Sequence, residues 1–196
     1  MAKAGQIAKR QASKIESADR KLARATGASR DSHFMKALGF VSDLADQPPL
    51  VALSALTIGA GIVTGRKHLA RAGVRMLLSH LAATQVKSFV KGRVDRTRPF
   101  VMLDGGRYHG KKGRSSAKSE TSFPSGHTAG AVAVARAVAR EYPEHAGTGY
   151  ALAATAAAVQ IPRGTHFASD IVAGALIGLV TEALVTLVLP TRDKLD

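Results

Sequence analysis

The chain has no cysteine, which removes a disulfide framework, a thiolate zinc site and a thiol nucleophile together. It has no tryptophan, so the usual interfacial anchor of a membrane protein is missing. Acidic residues are scarce. Against 28 Lys and Arg there are 14 Asp and Glu, and the formal charge of +14 favours an anionic partner: lipid head groups, nucleic acid or a phosphorylated substrate. From Met1 to Arg30 there is no apolar run of the kind a cleaved secretory signal needs, so export by that route is not expected. No dinucleotide or nucleoside-triphosphate glycine motif, no internal repeat and no strand pattern is present. At 196 residues the chain is long enough for one domain with a real core.

A mean hydropathy of +0.02 is low for a membrane protein, but the average conceals clustering. Apolar stretches over Leu50 to Gly65, Leu69 to Val90, Thr128 to Ala139, Tyr150 to Ile161 and Ile171 to Leu189 alternate with dense polar segments. The second carries Arg71, Arg75, His80 and Lys87, charges that must sit at its ends or face the protein interior. The last is the clearest span, with Ala173, Gly174 and Gly178 available for close helix packing. Ala2 to Arg30 suits an amphipathic helix on an anionic surface, and Phe34, Leu38, Val41 and Leu44 recur at helical spacing until Asp46 and Pro48-Pro49. Lys91 to Glu120, basic and glycine-rich, reads as an exposed loop. The pattern predicts an all-α helical bundle with about five transmembrane helices and amphipathic N-terminal helices. Its organisation is a basic region over 1–49, a membrane core over 50–190 and a polar tail over 191–196.

Three clusters carry chemistry, each at the edge of an apolar segment: Lys91 with Arg98-Pro99, Ser122 to Ala129, and Arg163 to Asp170. Alternating spans bring all three to one face. Lys and Arg neutralise the nonbridging oxygens of a phosphoryl group, and Arg adds bidentate geometry. Ser125 can donate its hydroxyl, and backbone N–H groups around Gly126 at a helix start can cradle an anion. A neutral imidazole attacks phosphorus, and a carboxylate four residues on can hold its other nitrogen, a spacing met by His166 and Asp170. His127 is then placed to protonate the leaving oxygen. Taken singly, each cluster has a plain structural explanation: a segment end, a helix cap, an interfacial lysine or a structural ion pair. Their joint occurrence in this order favours function.

These residues resemble the type 2 phosphatidic acid phosphatase family, whose signature is Lys, six residues, Arg-Pro; then Pro-Ser-Gly-His; then Ser-Arg, five residues, His, three residues, Asp. Lys91 to Arg98-Pro99, Pro124-Ser125-Gly126-His127, and His166 with Asp170 match, so the resemblance spans about Lys91 to Asp170. The Ser-Arg pair does not match. It falls at Val159-Gln160, and Arg163 stands only three residues before His166, in a loop after Pro162.

The resemblance implies metal-free, cofactor-free hydrolysis of a phosphomonoester or diphosphate on a lipid, with the substrate tail among the spans. In that pattern His166 attacks, Asp170 orients it and His127 is the acid, while Lys91, Arg98, Ser125 and Gly126 bind phosphate. Arg163 is the expected substitute for the missing arginine. The expected partners are a lipid phosphate and membrane lipids, not nucleic acid, and the expected location is a bacterial cytoplasmic (inner) membrane. The family's site ordinarily faces the cell exterior, whereas the basic loop from Lys91 to Lys118 on the active-site side does not support that orientation. Two other classes share parts of the pattern: a soluble acid phosphatase or vanadium haloperoxidase, and a noncatalytic basic protein of membranes or nucleic acid.

Overall fold

A computed structural model describes residues 2–190, so the polar tail over 191–196 lies outside the described residues. The chain forms α1 (Ala2–Thr26), α2 (His33–Asp43), α3 (Gln47–Val63), α4 (Lys67–Lys91), β1 (Val94–Arg96), α5 (Pro99–Leu103), β2 (Gly110–Lys112), α6 (Gly126–Glu141), α7 (Ala146–Val159) and α8 (Ala168–Val188). Three short 3₁₀ turns link them.

Helix α6 is the centre of the bundle, packed on α4, α7 and α8, while α3 pairs with α4 as a hairpin and α2 lies against α7. Its alanines make this possible. Ala129, Ala131, Ala133, Ala135 and Ala137 are all buried, and small side chains let neighbouring backbones approach on several sides. Helix α8 comes closest through Gly174 and Gly178: a methyl group there would stand 2.5 Å from the Ser125 carbonyl and 2.6 Å from that of Ala129. Two glycines therefore fix how near the start of α8 lies to the start of α6.

Two of the charges inside the second apolar stretch, Arg71 and Arg75, are resolved by pairing. Arg75 is fully buried at the bundle end formed by the α3–α4 turn, where its Nε donates to Glu141 at 2.7 Å and its Nη1 to Glu182 at 3.3 Å. Arg136 Nε reaches Glu182 at 2.9 Å, and Arg71 Nε reaches Glu141 at 3.3 Å. Cationic partners on two helices, α4 and α6, leave neither glutamate uncompensated, the condition for tolerating buried charge.

Among the described residues, α8 alone is long and apolar enough to cross a membrane by length and composition, and the apolar α3 has 17 residues. An outward belt of apolar side chains surrounds the bundle nonetheless: Leu56 and Val63 on α3, Phe89 on α4, Leu152 on α7, and Val172, Leu176, Leu187 and Val188 on α8.

Two expectations are corrected. The loop from Lys91 to Glu120 contains strands: β1 and β2 pair antiparallel, with Val94 opposite Lys112 and Arg96 opposite Gly110. Three-residue strands in which Val94 is the one apolar residue carry no alternating apolar signal, which is why the sequence gives no hint of them. Nor is the loop uniformly exposed, since Asp95, Arg96, Thr97 and Pro99 are buried, Arg96 against Asp19 of α1.

Candidate active site

The three clusters meet at the end of the bundle opposite the Arg75 network, joined by backbone hydrogen bonds. Phe100 N donates to Gly164 O at 2.8 Å, tying the Arg98-Pro99 turn to the loop that carries His166. Ser125 N donates to Asp170 O at 3.0 Å, joining the starts of α6 and α8. Ser122 N donates to Arg96 O at 3.1 Å, and Arg98 N to Ser119 O at 2.8 Å, closing the first segment on the second.

Ser125 caps α6. Its side-chain oxygen accepts from Thr128 N at 3.4 Å and from Thr128 Oγ1 at 3.0 Å, and its own hydroxyl proton remains available. The N–H groups of Gly126 and His127 have no intrahelical partner, as at any helix start, which makes this turn a site for an anion.

His166 is buried in the loop before α8, with Nδ1 3.7 Å from Asp170 Oδ2. Burial pushes its pKa down to about 4; Asp170 acts in the opposite direction, and the charges of Arg98 and Lys91 add to the lowering. The ring is therefore neutral at ordinary pH, and with Nδ1 turned to the carboxylate, Nε2 is the nitrogen left for chemistry. Asp170 is itself tightly held. Its Oδ2 accepts from Ser122 Oγ at 2.6 Å and from Phe167 N at 2.8 Å, and its Oδ1 accepts from Arg96 Nη1. Three donors fix the carboxylate independently of the imidazole.

His127, the second residue of α6, has Nε2 3.5 Å from Asp43 Oδ1 on α2. Arg163 does not point freely into the site. Its guanidinium donates to Asp43 at 2.7 and 3.4 Å and to Gly39 O at 3.2 Å, so Arg163 and His127 share one carboxylate. Burial works to raise the Asp43 pKa, but hydrogen bonding and charge from Arg163, with His127, bring it below the ordinary carboxylate value. Gln160, at the position of the family's arginine, is wholly buried and structural: its Nε2 donates to Ser42 Oγ at 2.6 Å, and its Oε1 accepts from Thr165 Oγ1 at 2.6 Å.

Several neighbours were not singled out from the sequence. Lys87 lies one turn before Lys91 on the same face of α4, and a methyl group at Gly126 would stand 3.4 Å from its Cδ and 3.6 Å from its Nζ. The i, i+4 spacing from Lys91 was the available signal. Arg96 and Asp43 offered none, because their partners lie more than seventy residues away. Buried Arg98 Nε has no hydrogen-bond partner, which leaves it a donor for a bound oxyanion.

The PAP2 superfamily model matches residues 72–194. The lipid A 1-phosphatase of Porphyromonas gingivalis is 33% identical over 87 residues, 42% of this chain and 20% of that protein, so the chain spans about a fifth of its relative's length. Two solved structures are similar in fold. The transmembrane PAP2-type phosphatidylglycerolphosphate phosphatase from Bacillus subtilis has a TM-score of 0.59 and 24% identity, over 88% of this chain and 84% of that one. Aquifex aeolicus LpxE has a TM-score of 0.57 and 20% identity, over 84% of this chain and 92% of that one.

Proposed function

Because the chain belongs to the PAP2 superfamily, we propose that it is an integral-membrane phosphatase that hydrolyses a phosphomonoester or diphosphate on a lipid through a phosphohistidine, without a metal. Helices α3, α4, α6, α7 and α8 are its spans. His166 Nε2 attacks phosphorus, the bond to the lipid oxygen breaks, and His127 gives that oxygen a proton. Water then attacks the phosphohistidine, with His127 taking the proton back and phosphate leaving. Asp170 holds the His166 ring, and Asp43 stands 3.5 Å from His127 Nε2, where it orients the acid. Lys91, Arg98, Ser125 and the N–H of Gly126 bind the phosphoryl oxygens, with Lys87 and Arg163 completing the positive ring.

The observation that carries the lipid assignment is a groove of about 430 Å³ between α3 and α7, floored by α6 and lined almost entirely by apolar side chains. Its floor is Ala131, Val134, Ala135 and Val138, which continue the face of α6 that His127 begins. From His127 to Val138 this stripe is about 16 Å long at 1.5 Å per residue. The general acid stands where the leaving oxygen must be, and an apolar track runs away from it, as a lipid leaving group requires. A bulky residue in the floor tests the assignment: Ala135→Phe should lower kcat/KM on a long-chain lipid phosphate at least tenfold. It should leave hydrolysis of p-nitrophenyl phosphate within twofold. Equal loss on both substrates would point to damage of the bundle and remove the groove from the account.

The cations are separable by substitution. Removing one charged donor from a partly dry phosphoryl site costs about 10²- to 10³-fold in rate. Lys87→Ala and Arg163→Ala should each lower turnover on p-nitrophenyl phosphate by that order. Gln160→Ala should register mainly in thermal stability, since it removes a hydrogen-bond partner from the buried Ser42 hydroxyl and from the half-buried Thr165 hydroxyl. Near-wild-type turnover in either cation variant would remove that residue from the phosphate ring.

A further inference from the structure

Helix α1 meets the active-site end of the bundle along one side only. Asp19 and Ala23 on that side are buried, and Glu16 Oε1 would lie 3.3 Å from a methyl group at Gly110. Asp19 and Glu16 are the only acidic residues of the helix, and both face the protein. The helix's exposed surface, over the described residues, carries five cations and three large apolar side chains among neutral polar groups such as Gln6, Gln11 and Ser13. Lys9, Arg10, Lys14, Lys21 and Arg24 are exposed, and so are Ile7, Ile15 and Leu22, at 61%, 52% and 40%. Spacings of eight and seven residues put those three on one stripe beside the basic face. Phe34, Phe40 and Leu44, in and just after α2, add exposed apolar groups in the same N-terminal layer.

The docked side leads directly to the candidate catalytic carboxylate. Asp19 Oδ2 accepts from Arg96 Nη2 at 2.8 Å and from the Ser169 hydroxyl, and Asp19 Oδ1 accepts from Ser169 N at 3.1 Å. The other arm of Arg96 donates to Asp170 and, at 2.8 Å, to Ser169 Oγ. Asp19 thus satisfies an orphan N–H in the first turn of α8 and shares one guanidinium with Asp170.

We infer that α1 lies on an anionic phospholipid leaflet at the active-site face, and that its seating there positions Asp170, and through it His166, by way of Asp19. Resting on the reading of Asp170 as the residue that orients His166, this makes Asp19 a positioning residue. Charge selects an anionic surface, and the apolar stripe selects a membrane over nucleic acid, which offers no medium into which Ile15 and Leu22 can be withdrawn from water.

The absence of tryptophan supplies the probe, since Ile15→Trp introduces a single indole. Purified protein is placed in nanodiscs of phosphatidylcholine alone or with about 30% phosphatidylglycerol, and p-nitrophenyl phosphate serves as a substrate that does not enter the bilayer. In anionic discs the indole emission should shift to the blue and be quenched by lipid-borne rather than aqueous quencher. The wild-type kcat should rise roughly three- to tenfold, as expected when a reacting group is better held. The rise is read in kcat because an anionic surface repels this substrate and raises its KM. Lys14→Glu/Lys21→Glu should keep the activity in neutral discs and lose the rise. Asp19→Asn should lower kcat about tenfold in both discs with KM unchanged, and Asp19→Glu should recover part of it. An indole quenched from water in both discs, or an Asp19→Asn enzyme with wild-type kcat, overturns the inference while leaving the active-site reading intact. Absence of turnover by the wild type in every disc overturns both. A rise reproduced by heparin without anionic lipid assigns the surface to soluble polyanions instead, and overturns the leaflet.

Discussion

A His166→Ala enzyme is expected to form no phosphoenzyme and to lose turnover by on the order of 10⁴-fold or more, the scale seen when a covalent nucleophile is removed. The loss should not be a loss of fold, because Ser122, Phe167 N and Arg96 hold the neighbouring Asp170 without using the imidazole. Circular dichroism and melting temperature should therefore stay close to wild type. A second readout follows from the depressed pKa of His166, about 4. Attack needs the neutral ring, the form present above that value and lost as the pH falls through it. The rate of phosphoenzyme formation from a substrate with a good leaving group should hold level from about pH 7 to about 5 and fall only towards 4. An acid limb at the ordinary histidine value of 6.5 would mean that the ring is solvated or paired differently during turnover. Residual phosphoenzyme in His166→Ala would transfer the nucleophile's role to another residue.

The second large effect depends on the leaving group. His127→Ala should slow hydrolysis of a lipid phosphomonoester by about 10²- to 10⁴-fold, the usual contribution of general acid catalysis, because a lipid alkoxide departs poorly without a proton. p-Nitrophenolate needs no proton to leave, so phosphorylation by p-nitrophenyl phosphate should fall far less. Slowed water attack should then let the phosphoenzyme accumulate. Quench-flow with both substrates measures the contrast, and an equal fall on both would make His127 a phosphate-binding group instead of the acid. Asp43→Asn should give a milder version of the same contrast, since Asp43 faces His127 Nε2 at 3.5 Å.

What was legible in the sequence was the chemistry carried by short spacings. Lys91 with Arg98, the Pro124 to His127 turn and His166 with Asp170 each occupy fewer than ten residues, and local helix geometry is enough to read them. The supporting contacts were illegible because they join distant segments. Asp19 meets Ser169 across 150 positions, and Asp43 meets Arg163 across 120, with no local pattern to announce either. Arg163 shows the limit most clearly. Its place in a loop before His166 was readable, but its pairing with Asp43 depends on α2 folding back over α7. Likewise Gln160 stood out only as a missing arginine, whereas its amide joins Ser42 and Thr165 in the core. The charges in the second apolar stretch posed the same problem: Arg75 is explained only by Glu141 and Glu182 on two other helices.

The account rests on lipid phosphate hydrolysis that needs no metal, and phosphate release by the purified protein in detergent with excess EDTA tests it most directly. Suitable substrates are phosphatidic acid, phosphatidylglycerol phosphate, a polyprenyl diphosphate and lipid A. The expected result is release from at least one of these lipids at a rate unchanged by chelator and suppressed by vanadate, which mimics the trigonal-bipyramidal phosphoryl group in a cationic pocket. No release from any of them, or release abolished by EDTA and restored by magnesium, would contradict it.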